Sequence, residues 1–280
     1  MRSFAFLAKD LLKFKNNVRF CSSFFVAMGG FLCYNIKCNN VTCIRSDTMK
    51  IMTFNIQHAK NFLTQEIDIP LFIGAIKKQN ADICGLNEVY NEGPRECNTD
   101  QAGAIGKGLG FYDFFGEAIK TGGENPYGNA MVSRYPFKSV EKVDIPDIEN
   151  KSTPRFEHRC AVKAVFEIDG KDITVITSHF GLSDGEKQNA VKKICELVDE
   201  CDMPVVIMGD FNMHPDDEKL KPLFERLNDT TVMDKGQTNT FRSDEPYCKI
   251  DYILYKGLKC VSCVTVNEIY ADHLPIVTEF

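Results

Sequence analysis

Val205-Val206-Ile207-Met208-Gly209-Asp210-Phe211-Asn212 is an uncharged apolar run that breaks into a carboxylate and an amide at its end. Three β-branched residues in succession favour a strand over a helix, and the lack of polar alternation reads as a strand buried on both faces. If the extended geometry persists, Asp210 and Asn212 lie two apart and share a side. Gly209 leaves room for backbone and substrate to come close. The same layout recurs along the chain. Asn55 follows Ile51-Met52-Thr53-Phe54, Glu88 follows Ile83-Cys84-Gly85-Leu86, and His179 follows Ile173-Thr174-Val175-Ile176. Near the end, Ala271-Asp272-His273-Leu274-Pro275-Ile276 sets an acid and an imidazole just before the last apolar run. A sheet that ends several strands this way gathers carboxylates, amides and imidazoles along one edge. That mixture suits an oxygen-loving divalent cation and a phosphoryl group.

Around these runs the pattern predicts strands at 50–56, 82–86, 111–115, 129–133, 160–167, 172–178, 204–208, 250–255, 259–266 and 275–280. Helical spacing predicts helices at about 66–79, 98–108, 184–200 and 217–227. In the third of these, Ala190, Val191, Ile194, Leu197 and Val198 make one apolar face, and Asp184 is placed to cap it. Asp169-Gly170 between two strand runs predicts a tight hairpin. Segments 118–129 and 143–158 read as surface loops. Strands alternating with helices, plus hairpins, imply one α/β domain of mixed strand order over 49–280.

Residues 1–48 do not share this pattern. They carry seven Lys/Arg against two acids, which leaves 26 basic and 37 acidic residues in 49–280. Residues 22–36 are mostly apolar but shorter than the ~20 residues of a spanning helix, and Gly29-Gly30 interrupts them. Three readings stand: a signal peptide without a clean cleavage site, a weak membrane anchor, or upstream sequence before a functional start at Met49. The break at Met49-Lys50 favours the third, so 1–48 is expected to be an extension outside the core.

The acidic balance of 49–280 argues against tight non-specific binding to duplex nucleic acid, which draws on clustered Lys/Arg. Of the twelve cysteines, only Cys260-Val261-Ser262-Cys263 has close paired spacing. It falls in a strand pattern, where residues three apart face opposite ways, so ordinary packing is the better reading than a metal or redox pair. Cys84 reads as a small core residue. Reduced thiols and a cytoplasmic location are expected.

The blocks Met52-Thr53-Phe54-Asn55-Ile56, Gly85-Leu86-Asn87-Glu88-Val89, Gly128-Asn129-Ala130-Met131-Val132-Ser133-Arg134, Thr177-Ser178-His179-Phe180, Met208-Gly209-Asp210-Phe211-Asn212, Lys249-Ile250-Asp251-Tyr252-Ile253 and Asp272-His273-Leu274-Pro275 occur in this order. Together they resemble the endonuclease/exonuclease/phosphatase superfamily, which includes deoxyribonuclease I, exonuclease III, sphingomyelinases and inositol-polyphosphate 5-phosphatases. The resemblance covers about 49–280. It implies a four-layer α/β/β/α sandwich of two packed mixed sheets, with the active site at one end of the sheets.

It also implies roles. Glu88 is the metal carboxylate, for Mg²⁺ or Mn²⁺, with Asn55 and Asp272 beside it as further metal ligands. Asn55 also contacts the substrate phosphate. Asp210 handles the attacking water and Asn212 contacts phosphate. Taken alone, Asp210-Phe211-Asn212-Met213-His214-Pro215 is also what an Asx turn looks like. Asp251, a carboxylate inside an apolar strand, needs a partner, and His273 is the candidate: the pair would keep the imidazole charged. His179 would donate to a non-bridging oxygen. Arg159 is either a phosphate fork or a surface ion pair. His58 reads as a surface-loop residue. Two features depart from the family pattern: Asn87 stands where many members have Gln, and Tyr127 is one place off the nuclease pattern. The expected activity is metal-dependent hydrolysis of a phosphoester, with a small molecule, nucleic acid or lipid headgroup as substrate. A small or exposed ester fits the acidic balance best. A nuclease of the deoxyribonuclease I or exonuclease III type is the alternative, and a non-catalytic binding module on the same fold is the second. Nothing in the sequence points to an obligate protein partner, and a monomer is expected.

Overall fold

Each sheet grows from one parallel strand pair joined by a helix. In the first, β1 (Lys50–Asn55) runs into α1 (Ile69–Gln79) and back as β2 (Ile83–Tyr90), parallel to β1. In the second, β7 (Lys171–Ser178), α3 (Asp184–Asp199) and β8 (Val205–Asp210) repeat the unit. The computed structural model describes residues 48–94, 99–149, 151 and 156–280. The extension expected over 1–48 lies outside them apart from Thr48.

Antiparallel strands complete both sheets. β3 (Tyr112–Thr121), β4 (Asn125–Ser133), β11 (Ser262–Thr265) and β12 (Ile276–Glu279) give the first the order β11-β12-β1-β2-β4-β3. β5 (Ser139–Ile145), β6 (Arg159–Ile168), β9 (Asn228–Asp229) and β10 (Asp251–Lys256) give the second the order β5-β6-β7-β8-β10-β9. Among the described residues two short α-helices remain, α2 (Gln101–Leu109) and α4 (Lys221–Phe224).

The buried side chains fall into three layers. Ile51, Ile83 and Met131 of the first sheet meet Val162, Val175, Val206, Met208 and Ile253 of the second between the sheets. Met52, Phe54, Leu86 and Ala130 face α1 and α2 on one outer side. Ile176, Ile207 and Leu254 face α3 and Leu223 of α4 on the other. Alternation along each strand thus supplies one residue to the inner layer and the next to an outer one. This is the α/β/β/α sandwich of two mixed sheets. Among the described residues no helix is long and apolar enough to cross a membrane.

Local signals set the ends. α1 begins at Asp68, whose carboxylate accepts from Leu71 N, and closes on Asn80 in left-handed backbone. α3 is capped one residue earlier than expected: Ser183 and Glu186 form a reciprocal capping box. Asp169 and Gly170 both have positive φ, as a two-residue hairpin turn between β6 and β7 needs.

Three expectations are corrected. Segment 118–129 is not a surface loop but the tip and flanks of the β3–β4 hairpin, with only residues 122–124 outside the strands. Gly122, Gly123 and Asn125 serve the turn. β5 occupies the start of the expected 143–158 loop and extends before it; its charged, mostly exposed sequence hides an edge strand from a hydrophobic pattern. The helix expected at 217–227 is a 3-10 turn (Glu218–Leu220) running into the single turn of α4, whose second residue is Pro222.

Candidate active site

Strand parity delivers the residues of the second sheet. Met208 is in the inner layer, so Asp210, two residues on, faces inward from the end of β8. Ile253 is inner, so Asp251 is inner at the start of β10, directly opposite Asp210 in the antiparallel register. Ile173 and Val175 are inner, which carries His179 to the same side just past β7. Behind each of the three, the next residue is a fully buried aromatic on the outer side. Phe180 and Phe211 stack at 4.4 Å, Phe211 and Tyr252 at 5.0 Å, and the Lys249 ammonium closes the column 3.5 Å from the Tyr252 ring. Gly209, at φ 140°, is needed for a backbone contact: a Cβ there would run into the Ser178 carbonyl of the neighbouring strand.

The first sheet uses irregularity instead. A bulge between Leu86 and Val89 puts both of those in the outer layer and leaves Glu88 at φ 58°, turned toward the sheet end. Two donors then fix its carboxylate: Asn55 Nδ2 at 3.0 Å and the Tyr127 hydroxyl at 2.7 Å. The same Asn55 amide donates to Asp210 Oδ2 at 3.1 Å, so one side chain joins the carboxylates of the two sheets. Asn87 makes a second tie. It accepts from Asp210 N at 3.0 Å and donates to Asn129 at 2.7 Å, and Asn129 donates to Cys160 O at 2.9 Å.

Asp210 is the meeting point. Its Oδ1 accepts from Asn212 N at 2.9 Å, so the Asx turn is present, while Oδ2 faces His179 Nε2 at 3.5 Å and His273 Nε2 at 3.6 Å. Burial and then the Asp251 charge push its pKa up to about 7, against the pull of His273. His273 Nδ1 holds Asp251 Oδ2 at 2.8 Å. Burial alone would lower its pKa, but the charges of Asp251 and Asp210 outweigh it and raise it to about 10. His179 goes the other way: burial, Arg159 and His273 hold it well below its ordinary value. The site therefore pairs a cationic imidazole with a neutral one.

The neutral one is engaged within the protein. Asn212 Nδ2 donates to Phe180 O at 3.0 Å, which fixes the amide's orientation, and meets His179 Nε2 at 3.0 Å. Nε2 accepts in this arrangement and the Asn212 amide protons are both engaged; the expected donation from His179 to phosphate requires the other tautomer. Arg159 stands apart. Its strand parity is that of Ala161, on the outer side, and its guanidinium pairs with Glu157 at 2.8 Å. Its Nε is buried without a protein partner among the described residues, and its charge is felt at His179. His58, expected on a surface loop, is half-buried against Tyr90 and Tyr127. Asn87, Tyr90 and Tyr127 were not singled out as site residues. Tyr127 lies next to the quoted Gly128-Asn129 block, and its pairing opposite Tyr90 depends on the bulge, which sequence does not announce.

The donor set beside Glu88 fits a divalent cation. Asp272 Oδ1 is buried without a protein partner among the described residues. Burial, and beyond it the nearby Glu88 charge, raise the Asp272 pKa while His273 opposes them. Two carboxylates that repel each other, one with an orphaned oxygen, are what a hard cation relieves. Asp210, Asp251 and His273 also bring ligand atoms within 4.8 Å of one another. There, however, the imidazole is charged and already bonded to Asp251, so that trio is better suited to proton handling than to holding a cation.

Residues 52–273 match the model of the endonuclease/exonuclease/phosphatase family. An uncharacterized Escherichia coli protein, YbhP, is 26% identical over 178 residues, spanning 59% of this chain and 67% of its own. Among solved structures, an endonuclease/exonuclease/phosphatase from Beutenbergia cavernae superposes with TM-score 0.71 at 22% identity, over 83% of this chain and 71% of that one. The Bacteroides thetaiotaomicron mannosyl-6-phosphatase Bt3783 does so with TM-score 0.66 at 15% identity, over 82% and 98%. The two mixed sheets, the polar strand ends gathered between them and the match over most of the chain give one conclusion: this chain belongs to the endonuclease/exonuclease/phosphatase family, whose members hydrolyse phosphoester bonds.

Proposed function

We propose that the chain is a divalent-metal-dependent phosphoesterase, acting by in-line attack of water on a small or exposed phosphoester. The observation that carries this is the division around the Asn55 amide: Glu88 lies on one side, and on the other Asp210 faces a charged His273. Glu88, Asp272 and Asn55 would hold Mg²⁺ or Mn²⁺, which supplies Lewis acidity to a phosphoryl oxygen. Asp210, with its pKa near neutrality, takes the proton of the attacking water. His273, kept cationic by Asp251, stabilises charge that develops on the phosphoryl oxygens. Asn55, whose amide protons join Glu88 and Asp210, reaches phosphate without adding charge only if a bound anion draws one of them away. Asn212 steadies His179 and Asp210, and reaches phosphate only if a bound anion draws its amide away from His179. Arg159 adds from behind to the burial that keeps His179 neutral.

The test is release of product from a panel of phosphomonoesters, phosphodiesters, nucleic acids and lipids, each assayed with Mg²⁺, Mn²⁺ and a chelator. Metal-dependent turnover of a small ester, above that of duplex DNA, is expected. Faster cleavage of DNA, suppressed by salt, would make the nuclease reading the right one.

A further inference from the structure

On the Glu88 side the site continues into a corner that these steps leave unused. Gln57, His58 and Ala59 are three successive non-glycine residues in left-handed backbone, at φ 44°, 48° and 57°. Such a conformation costs on the order of 1–3 kcal/mol per residue and persists where the surroundings hold it. The fully buried Gln101 is one hold: its Nε2 donates to His58 O at 2.7 Å, and its Oε1 accepts from Tyr90 N at 2.9 Å. Asn55 Oδ1 accepts from Gln57 N at 3.1 Å at one end of the turn, and Ala59 O from Asp68 N at 2.8 Å at the other.

What the turn delivers is an imidazole. The His58 ring lies 5.1 Å from Tyr90 and 6.5 Å from Tyr127, and the two tyrosines are 5.0 Å apart. The Tyr127 hydroxyl sits on Glu88. His58 Nδ1 is buried with no protein partner among the described residues. Nearly all buried polar atoms are satisfied, so an orphan on a strained turn beside the metal carboxylate is a place for a ligand atom. Burial lowers the imidazole's pKa against the pull of Glu88, which favours a free lone pair. The rings are tilted 47–55° to one another, an angled corner and not a slot between parallel faces.

In-line displacement places the leaving oxygen opposite the attacking water. With water at Asp210, the leaving group points to the Glu88 side and into this corner. We propose that His58, Tyr90 and Tyr127 form the subsite for the alcohol part of the substrate, and that this alcohol is a small hydroxylated one, a sugar or polyol. His58 takes a hydroxyl hydrogen bond, and the tilted tyrosine rings take the C–H face of a puckered ring. This rests on the phosphoesterase reading above.

The experiment is calorimetric binding with Mg²⁺ in an Asp210→Asn background, which prevents turnover. The probes are a hexose 6-phosphate, inorganic phosphate and adenosine monophosphate. Hexose 6-phosphate should bind about tenfold tighter than inorganic phosphate, the size of one good hydrogen bond with ring contact. Adding His58→Ala should remove that gain and leave inorganic phosphate unchanged. His58→Asn, which tolerates left-handed backbone, should do the same and guards against a loop collapse. Equal binding of hexose 6-phosphate and phosphate, equal weakening of both by His58→Ala, or tighter, His58-dependent binding of adenosine monophosphate would overturn the subsite alone. Failure of both phosphate and hexose 6-phosphate to bind would overturn the phosphoesterase reading with it.

Discussion

The β1-α1-β2 and β7-α3-β8 units are built alike, yet they present their functional groups by different means. The second unit and its neighbour β10 rely on regular alternation: His179, Asp210 and Asp251 face inward, and the stacked Phe180, Phe211 and Tyr252 lock them from behind. The first unit relies on departures from regularity, a bulge at Glu88 and a left-handed turn at 57–59, held by side-chain hydrogen bonds from Asn55, Tyr127 and Gln101. A packed aromatic column is hard to shift without unfolding. A carboxylate aimed by two hydrogen bonds is easier to move and easier to retune. In the proposed reaction, proton chemistry, which depends on fixed distances, would sit on the rigid half, and the cation, which can pull its ligands in, on the other.

The largest effect should come from the rigid half. Asp251→Asn should lower kcat by about 10²–10⁴-fold, because the amide no longer keeps His273 charged. His273→Ala should cost at least as much, and the double variant little more than His273→Ala alone. Fully multiplicative losses in kcat would separate the two residues and break the pairing on which this half rests.

pH should sharpen the same contrast. Asp210 must be ionised and His273 protonated, so kcat/KM should rise through about pH 7 and fall toward about pH 10. Both pKa values are raised on folding, so both groups bind protons more tightly in the folded state. Their contribution to stability therefore declines as pH rises, between 3.8 and about 7 for Asp210 and between 6.5 and about 10 for His273. The Tm difference between wild type and His273→Ala should accordingly shrink from pH 6.5 to pH 10. A gap that widens instead would mean that His273 is not held charged.

Smaller effects distinguish the braces. Phe211→Leu should lower stability by about 1–3 kcal/mol in denaturant unfolding, because it opens the middle of the column. Tyr127→Phe should leave stability nearly unchanged and raise the Mg²⁺ concentration for half-maximal activity by roughly 3–10-fold, the worth of one hydrogen bond. A Tyr127→Phe protein with an unaltered metal requirement would show that Glu88 needs no such brace.

The same difference explains what could be read in the sequence. Asp210 at the end of its strand, His179 just past its own and Asp251 at the start of another are legible because parity follows from a period of two, and the buried acid of Asp251 calls for a partner that His273 supplies. The tie through Asn87 and the brace from Tyr127 were not legible. Both depend on how the sheet ends meet, and Tyr127 faces Glu88 only because a bulge changes the register between β2 and β4. His58 was hidden for a related reason: three left-handed residues without a glycine leave no mark in a hydrophobic pattern. Arg159 is legible only as two alternatives, a phosphate fork or an ion pair; the structure shows the ion pair with Glu157 and the strand parity of Ala161.

The division of labour between the halves is tested most directly by titrating Mg²⁺ against turnover for wild type, Glu88→Gln and Asp251→Asn on the best substrate of the panel. Glu88→Gln should raise the half-saturating Mg²⁺ concentration by at least about tenfold, since it removes a charge that a hard cation needs, and its rate should recover toward wild type as Mg²⁺ is raised. Asp251→Asn should lower the plateau and leave the half-saturating concentration where it is. If Glu88→Gln instead lowers only the plateau, or both variants shift the half-saturating concentration alike, the cation is not held by the first sheet and the account fails.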